Sequence, residues 1–476
     1  MKRLKHHKSS QHKVPADAAD APPSVRHPQR HTTGEPEHDA VHRGQARIAY
    51  RFAAAYRNRM IYVRGIGWLV WDGARWTEDT LDRASEHVLE VVRSALNDQR
   101  VDEGLRSDAR RCESSAGIRG VLKIASSISE MRVRPGQLDA DPFLFNVSNG
   151  TLDLRTGQLR RHDPADLITK VTDGGYRPEG QSGAWSQFLA TVLPDSATRE
   201  YFQRVIGQAT YGDVREHLFP LLTGAGANGK STAYGAIDNA LGDYSTIIDP
   251  AMLVGTNRGV GGPEMMDLRG ARLVFGSETD DGRRLNTALM KRLTGGDSIT
   301  ARNHYAPTVT WRPTHQLVYV TNHPPQVDGK DPAVWRRVRV LPFNVTIPAR
   351  QRDPELPEKL RRASDEVVTW AVRGWFDYSG RGAMDEPEHV TIATDNYRTE
   401  SDSVKRFVRD MCIVGERCSA LTRELYIAWD AWSEAEGVEK LSETAFAGEL
   451  ERLGFPGKRT KHGTVRSGLK VSGSKS

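Results

Sequence analysis

Gly224-Ala225-Gly226-Ala227-Asn228-Gly229-Lys230-Ser231 is a stretch whose residue types and spacing specify a chemistry. It fits the phosphate-binding pattern of two glycines with four residues between them, closed by Lys and Ser or Thr. The glycines let backbone N–H groups turn inward and surround phosphate oxygens. Lys230 would reach the β- and γ-phosphates of ATP, and the Ser231 hydroxyl would hold Mg²⁺. Thr232 continues the binding turn into a helix whose N-terminal dipole favours the anion. The run Leu218 to Thr223 reads as a buried strand, and Thr232 to Leu241 as a helix. With glycine at about 7% of residues, the bare pattern arises by chance in roughly one chain in fifty of this length. The strand before it and the helix after it lower that figure further.

Three other segments carry candidate chemistry. Arg272 to Glu278 is an apolar strand ending in a carboxylate, about fifty residues past the phosphate loop. A Glu so placed polarises an attacking water and can reach Mg²⁺ through water. Taken alone, the pattern fits a surface carboxylate equally well. Gln316 to Asn322 is a second apolar strand, ending in an amide able to bond both a water and a γ-phosphate. Arg336 and Arg337 open a third strand running to Phe343. An arginine there can act on a neighbouring subunit's nucleotide or make a surface ion pair.

These residues need a frame, and the sequence predicts one. The motor core is read over 216–345, with a helical lead-in over 182–215, where Trp185, Phe188, Leu189, Val192 and Leu193 recur at helical spacing. Before it, residues 44–178 hold a helix at 46–56, strands around the Asp72-Gly73 turn, helical sequence from 82 to 129, and short strands from 143 to 157. After Pro387 a small separate domain is expected. It has a helix over 421–436, a turn at Gly437, a second helix capped by Ser442, and a hairpin over 457–471.

Composition sets the outer limits. The chain has 476 residues, 38% hydrophobic and 27% charged, enough for two or three domains. It has no apolar run near the roughly 20 residues of a membrane span and no signal-peptide core, so a cytoplasmic location is expected. Cys112, Cys412 and Cys418 lack metal-ligand spacing. Residues 1–43 are too polar to bury a core and read as a disordered basic tail, although His6, His7, His12, His27, His31 and His38 could also bind metal. Between Arg452 and Ser476 lie seven basic residues and no acidic one, while the net charge is +6. The bulk of the chain is therefore near neutral. The basic end reads as a nucleic-acid contact through Lys458, Arg459, Lys461 and Arg466, or else as a solubilising tail.

The order of phosphate loop, strand-Glu278, Leu293-to-Arg302, strand-Thr-Asn322 and Trp-Arg-Arg337 resembles superfamily 3 helicases. More narrowly it resembles the phage and plasmid primase-helicase family related to the poxvirus primase-helicase. The segments 68–76, 141–157 and 161–170 resemble that family's domain before the motor, and Leu425-Tyr-x-x-Trp429-x-x-Trp432 resembles its C-terminal winged helix.

The resemblance implies an α/β architecture: an AAA+-like phosphate-loop ATPase core over 179–384 with an inserted β-hairpin. A mixed α/β domain over 44–178 precedes it, and a winged-helix DNA-binding domain over 385–476 follows. It implies a hexameric ring moving 3′ to 5′ on single-stranded or forked DNA, in a phage, prophage or plasmid replication system inside a bacterial host. Glu278 would be the catalytic carboxylate, Asn322 the sensor, and Arg337 the finger acting in trans. Arg302, Asn303, His304 and Tyr305 would meet DNA at the hairpin, mixing charge, hydrogen bonding and a stacking ring.

Two departures stand out. One acid ends the strand at 278 where many phosphate-loop enzymes have two. The tail also leaves no room for a primase domain, so priming is expected from a separate primase or polymerase. The competing expectation is an ATP-switched replication initiator or loader with little unwinding.

Overall fold

The computed structural model describes residues 41–99, 101–180, 183–253, 262–277, 284–302, 308–327, 331–436, 438 and 440–472. The tail read over 1–43 lies outside them apart from its last three residues, as do Glu278, Asn303, His304, Tyr305 and Gly437.

The chain begins with α1 (Gly44–Tyr56), β1 (Met60–Val63), β2 (Gly67–Trp71) and β3 (Trp76–Glu78). The Asp72 carboxylate accepts the N–H groups of Ala74 and Arg75, each at 2.8 Å, and folds the β2–β3 turn. Three helices replace the single helical stretch expected next: α2 (Arg83–Asn97), α3 (Glu103–Cys112) and α4 (Ser115–Ala125). Asp102 and Ser114 cap α3 and α4 by accepting from Leu105 and Gly117. The apolar faces of these helices close over Phe52, Met60 and Val70 as one core. β4 (Arg132–Val133) completes a four-stranded sheet in the order β3-β2-β1-β4.

β5 (Leu144–Val147), β6 (Gly150–Asp153) and β7 (Gln158–Arg160) form an antiparallel meander. Phe145, Val147, Leu152 and Leu154 are buried in the same core as the central sheet's Leu222, Phe275 and Val318. A boundary at 178 would therefore fall inside a continuous apolar cluster. A strap after the meander reinforces it. Val171 N–H donates to Asp243 Oδ2 at 3.0 Å, and the N–H groups of Asp173 and Gly174 both donate to Ala240 O at 3.1 Å.

Helices α5 (Ala184–Val192) and α6 (Ser196–Gln208) lead into β8 (Phe219–Thr223), α7 (Lys230–Leu241) and β9 (Ser245–Ile248). After the short α8 (Pro250–Leu253) come β10 (Leu273–Ser277), α9 (Thr287–Leu293), β11 (Ile299–Ala301), β12 (Val309–Trp311), β13 (Gln316–Val320), α10 (Pro332–Trp335) and β14 (Val338–Pro342). The central sheet is parallel, in the order β14-β8-β13-β10-β9. Its central strands are near-continuous apolar runs, as a sheet covered on both faces requires. β11 and β12 pair as the inserted hairpin, Ile299 opposite Trp311 and Ala301 opposite Val309. α11 (Leu356–Arg362) and α12 (Ser364–Arg381) follow, and α12 packs back on α6 and α7.

α13 (Glu388–Ser401) lies along β14 and leads into a last unit: α14 (Ser403–Met411), β15 (Cys412–Leu421), α15 (Thr422–Ala435), α16 (Glu443–Arg452), β16 (Gly457–Thr460) and β17 (Gly463–Val471). Its sheet has the order β15-β17-β16, and Phe407, Trp429, Phe446 and Leu469 fill its separate core. The Ser442 hydroxyl accepts from Ala445 N–H at 3.2 Å and starts α16. No helix of the described residues is long and apolar enough to cross a membrane.

Candidate nucleotide and nucleic-acid site

The phosphate loop leaves the C-terminal end of β8 and enters α7. Four of its residues take positive φ: Gly224 (+155°), Gly226 (+91°), Ala227 (+49°) and Gly229 (+83°). That run of unusual conformations turns the peptide planes over and explains the glycines. Gly229 has a second reason, since a β-carbon there would come within 2.5 Å of Val192 on α5. The lead-in helix thus braces the loop from outside. Asn228 braces it from inside, its amide donating to Phe343 O at 3.0 Å.

Lys230 is the first residue of α7, and its side chain is 3% exposed. Its ammonium donates to Gly224 O at 2.6 Å, to Asn228 Oδ1 at 3.1 Å and to Asn322 Oδ1 at 3.1 Å. Burial holds its pKa below the ordinary lysine value. Three oxygens thus support the charge that a phosphate would otherwise meet. Ser231 is exposed at the start of α7, next to Thr232, so its hydroxyl is free to face a bound group.

Asn322 is fixed by its neighbours. β13 lies between β8 and β10, so its end emerges beside the phosphate loop. The Thr321 hydroxyl donates to His323 O at 2.7 Å and accepts from His323 N–H at 3.0 Å. The small ring so formed turns the exposed Asn322 toward Lys230. No spacing rule flags Thr321, although a hydroxyl before a turn is its usual signature. β10 ends at Ser277, directly before Glu278, on the far side of β13.

The two arginines before β14 part company. Arg337 is buried, its guanidinium donating to Ala333 O at 2.7 Å while Nε has no partner among the described residues. Burial, and then the charge of Arg336, lower its pKa. Arg336 is exposed and lines a cavity of about 680 Å³ with Arg215, Glu216, His217 and Arg339. Arg337, expected as the presented residue, is tucked into its own subunit, and Arg336 is the one offered outward. Val338 pairs with Phe219 and Pro342 with Thr223, so both arginines stand at the end of the sheet opposite the phosphate loop. At ~3.3 Å per residue, the strand separates the two ends by roughly 15 Å.

Of the expected DNA contacts, Arg302 is exposed where β11 ends. Lys458, Arg459 and Lys461 are exposed on the β16–β17 hairpin. Arg466 does not join them. It is 3% exposed, donating to Thr422 Oγ1 at 3.2 Å and to Phe455 O at 2.7 Å, which takes it out of the surface charge. Its place on the inward face of β17 follows from strand alternation.

Comparison with known proteins follows this layout. A family model described as D5 N terminal like matches residues 49–194, and one described as poxvirus D5 protein-like matches 399–468. Between them, a family of unknown function matches 222–337. A protein of Acanthamoeba polyphaga mimivirus named "Putative helicase" is 28% identical over 62% of this chain and 33% of its own length. Another of that name, from Frog virus 3, is 28% identical over 70% of this chain and 42% of its own. A "Putative primase" of African swine fever virus is 26% identical over 62% of this chain and 33% of its own. The matched region thus spans well under half of each relative. An apo structure of the NrS-1 C-terminal region covers 89% of this chain and 98% of its own, with a TM-score of 0.50 and 10% identity, a likeness of fold alone. The chain thus carries a D5 N-terminal-like region and a poxvirus D5 protein-like region, and over part of its length it is similar to proteins of large DNA viruses named for helicases and primases.

Proposed function

We propose that this chain is an ATP-hydrolysing DNA helicase that works as a ring, most simply a hexamer, in replication of a phage or plasmid. Its centre would be an AAA+-like phosphate-loop core and its C-terminal unit a winged helix. The observation that carries this reading is the arrangement of one sheet. The phosphate loop and Asn322 meet through Lys230 at one end, and Arg336 stands at the other end of the strand next to β8. An arginine so placed would serve a nucleotide held by another copy, as an arginine finger does.

Within one subunit the roles divide by position. The loop's N–H groups and Lys230 would bind the β- and γ-phosphates of ATP, and Lys230 would exchange its present oxygen partners for phosphate oxygens. Ser231 would hold Mg²⁺, which neutralises charge on the phosphates. Glu278, directly after β10, would polarise the attacking water, and Asn322 would orient it. Arg336, rather than Arg337, would cross to the neighbour. The β11–β12 hairpin with Arg302 would meet single-stranded DNA, and the basic hairpin at 458–461 would add phosphate contacts. Movement from 3′ to 5′ and reliance on a separate primase or polymerase belong to the same proposal.

The test is ATP-dependent unwinding of a forked DNA beside a forked RNA, with oligomer mass measured on the same sample. Unwinding of the DNA fork by a ring, lost in Glu278→Gln while ATP binding persists, is the expected result. Hydrolysis and assembly with no strand separation would instead favour an ATP-switched initiator or loader.

A further inference from the structure

The inserted hairpin is not isolated from the N-terminal domain. Gly65, in the turn between β1 and β2, has φ +90°, and a β-carbon built on it lies 3.6 Å from Val309 Cγ2 on β12. Val309 is only 6% exposed, although it belongs to a short two-stranded hairpin. The N-terminal domain therefore docks on the hairpin at its last strand pair, Ala301 opposite Val309, away from the Ile299–Trp311 base.

That docking gathers charge. β1 and β4 are parallel, with Tyr62 beside Arg132 and Val63 beside Val133. One residue further, Arg64 and Arg134 leave the sheet side by side, at the end that touches the hairpin. Arg302 follows Ala301, the residue paired with Val309. Arg64, Arg134 and Arg302 are all exposed, and none has a carboxylate partner among the described residues. Three cations from three separate segments, brought to one side by the Gly65–Val309 approach and the β1–β4 pairing, thus have no ion-pair partner among the described residues. A polyanion would supply one, and arginine forks suit phosphate oxygens.

We propose that Arg64 and Arg134 form, with Arg302, a rim that grips the phosphates of a DNA single strand beside the Ala301–Val309 end of the hairpin, so that the N-terminal domain is part of the DNA path. The rim rests on the hairpin being the strand-contacting element of the proposed function.

The experiment is binding of a fluorescent oligothymidine by the full chain across a range of KCl, followed by anisotropy. For Arg64→Ala/Arg134→Ala the log–log salt slope should fall by roughly 1.4, about 0.7 for each single-strand phosphate that is no longer neutralised. ATP hydrolysis without DNA should be unchanged, and Arg64→Lys/Arg134→Lys should restore most of the slope. An unchanged slope in the Ala variant, with binding weakened by Arg302→Ala, overturns the rim and leaves the helicase reading standing. Loss of slope in a protein that never unwinds a fork supports the rim and removes the helicase reading. An equal loss on a blunt duplex overturns the single-strand assignment.

Discussion

The ammonium of Lys230 donates to the Asn322 amide oxygen across 3.1 Å, joining the phosphate loop to the end of the adjacent strand. The two residues are 92 positions apart in sequence. Lys230→Ala should abolish hydrolysis and weaken nucleotide binding. Asn322→Ala should bind nucleotide nearly as well and lose roughly 10²- to 10³-fold in turnover, the usual effect of removing one oriented hydrogen-bonding group. Nucleotide affinity and steady-state phosphate release separate the two cases. Equal loss of affinity in both variants would assign Asn322 to binding alone.

Exposure and burial predict different failures for Arg336 and Arg337. Arg336→Ala should fold normally and hydrolyse slowly, by on the order of a thousandfold. Mixed with Lys230→Ala, it should regain activity at interfaces that combine an intact Lys230 with an intact Arg336. Arg337→Ala empties a buried position that bonds Ala333, so it should lower the melting temperature first. Rescue with the Arg337 variant and none with Arg336, at equal stability, would reverse the assignment.

On the C-terminal hairpin, charge and fold can be separated. Lys458, Arg459 and Lys461 are exposed, so replacing all three with Ala should change stability by no more than about 0.5 kcal/mol each. The DNA-binding salt slope should fall by roughly 0.7 to 0.9 for each phosphate left without its cation. Arg466→Ala should do the opposite. It strips a buried donor from Thr422 and Phe455 and should cost on the order of 2 kcal/mol. Thermal unfolding and salt titration of the same variants check both halves. A stable Arg466→Ala protein with a flattened slope would return Arg466 to the DNA surface.

His315, just before β13, is 2% exposed, and burial pushes its pKa down from 6.5 to about 4. Between those values the unfolded chain binds a proton that the native protein refuses. Its contribution to stability is therefore complete above about pH 6.5 and is lost as pH falls toward 4, by up to about 3 kcal/mol. His315→Gln should flatten that part of the stability curve. Denaturant midpoints of both proteins from pH 4 to 7 measure the difference, and parallel curves would refute the assignment.

What the sequence disclosed depended on how local the signal was. The phosphate loop, the apolar strands around it and the Ser442 cap are written in neighbouring residues. The partner of Lys230 is legible only as a second strand ending in an amide. That those strands lie side by side is decided by sheet order. Arg336 and Arg337 look interchangeable in sequence, since which of two adjacent residues points inward is set by how α10 meets β14. The same holds for Arg466, one basic residue in a basic run until strand alternation turns it inward. The meander at 144–160 reads as part of the preceding domain because it follows it in the chain, yet its Phe145 and Leu152 are buried with residues more than sixty positions later.

That shared burial governs how the molecule can be taken apart. A recombinant motor begun at 179 would leave the partners of Phe145, Val147, Leu152 and Leu154 facing water, and would also remove the backbone groups that meet Ala240 and Asp243 at the far end of the phosphate-loop helix. Such a fragment would carry every residue of the proposed nucleotide site and still lack the wall behind it. A fragment begun before Asp141 would keep the meander and the strap, with its newly made end in the connection between β4 and β5.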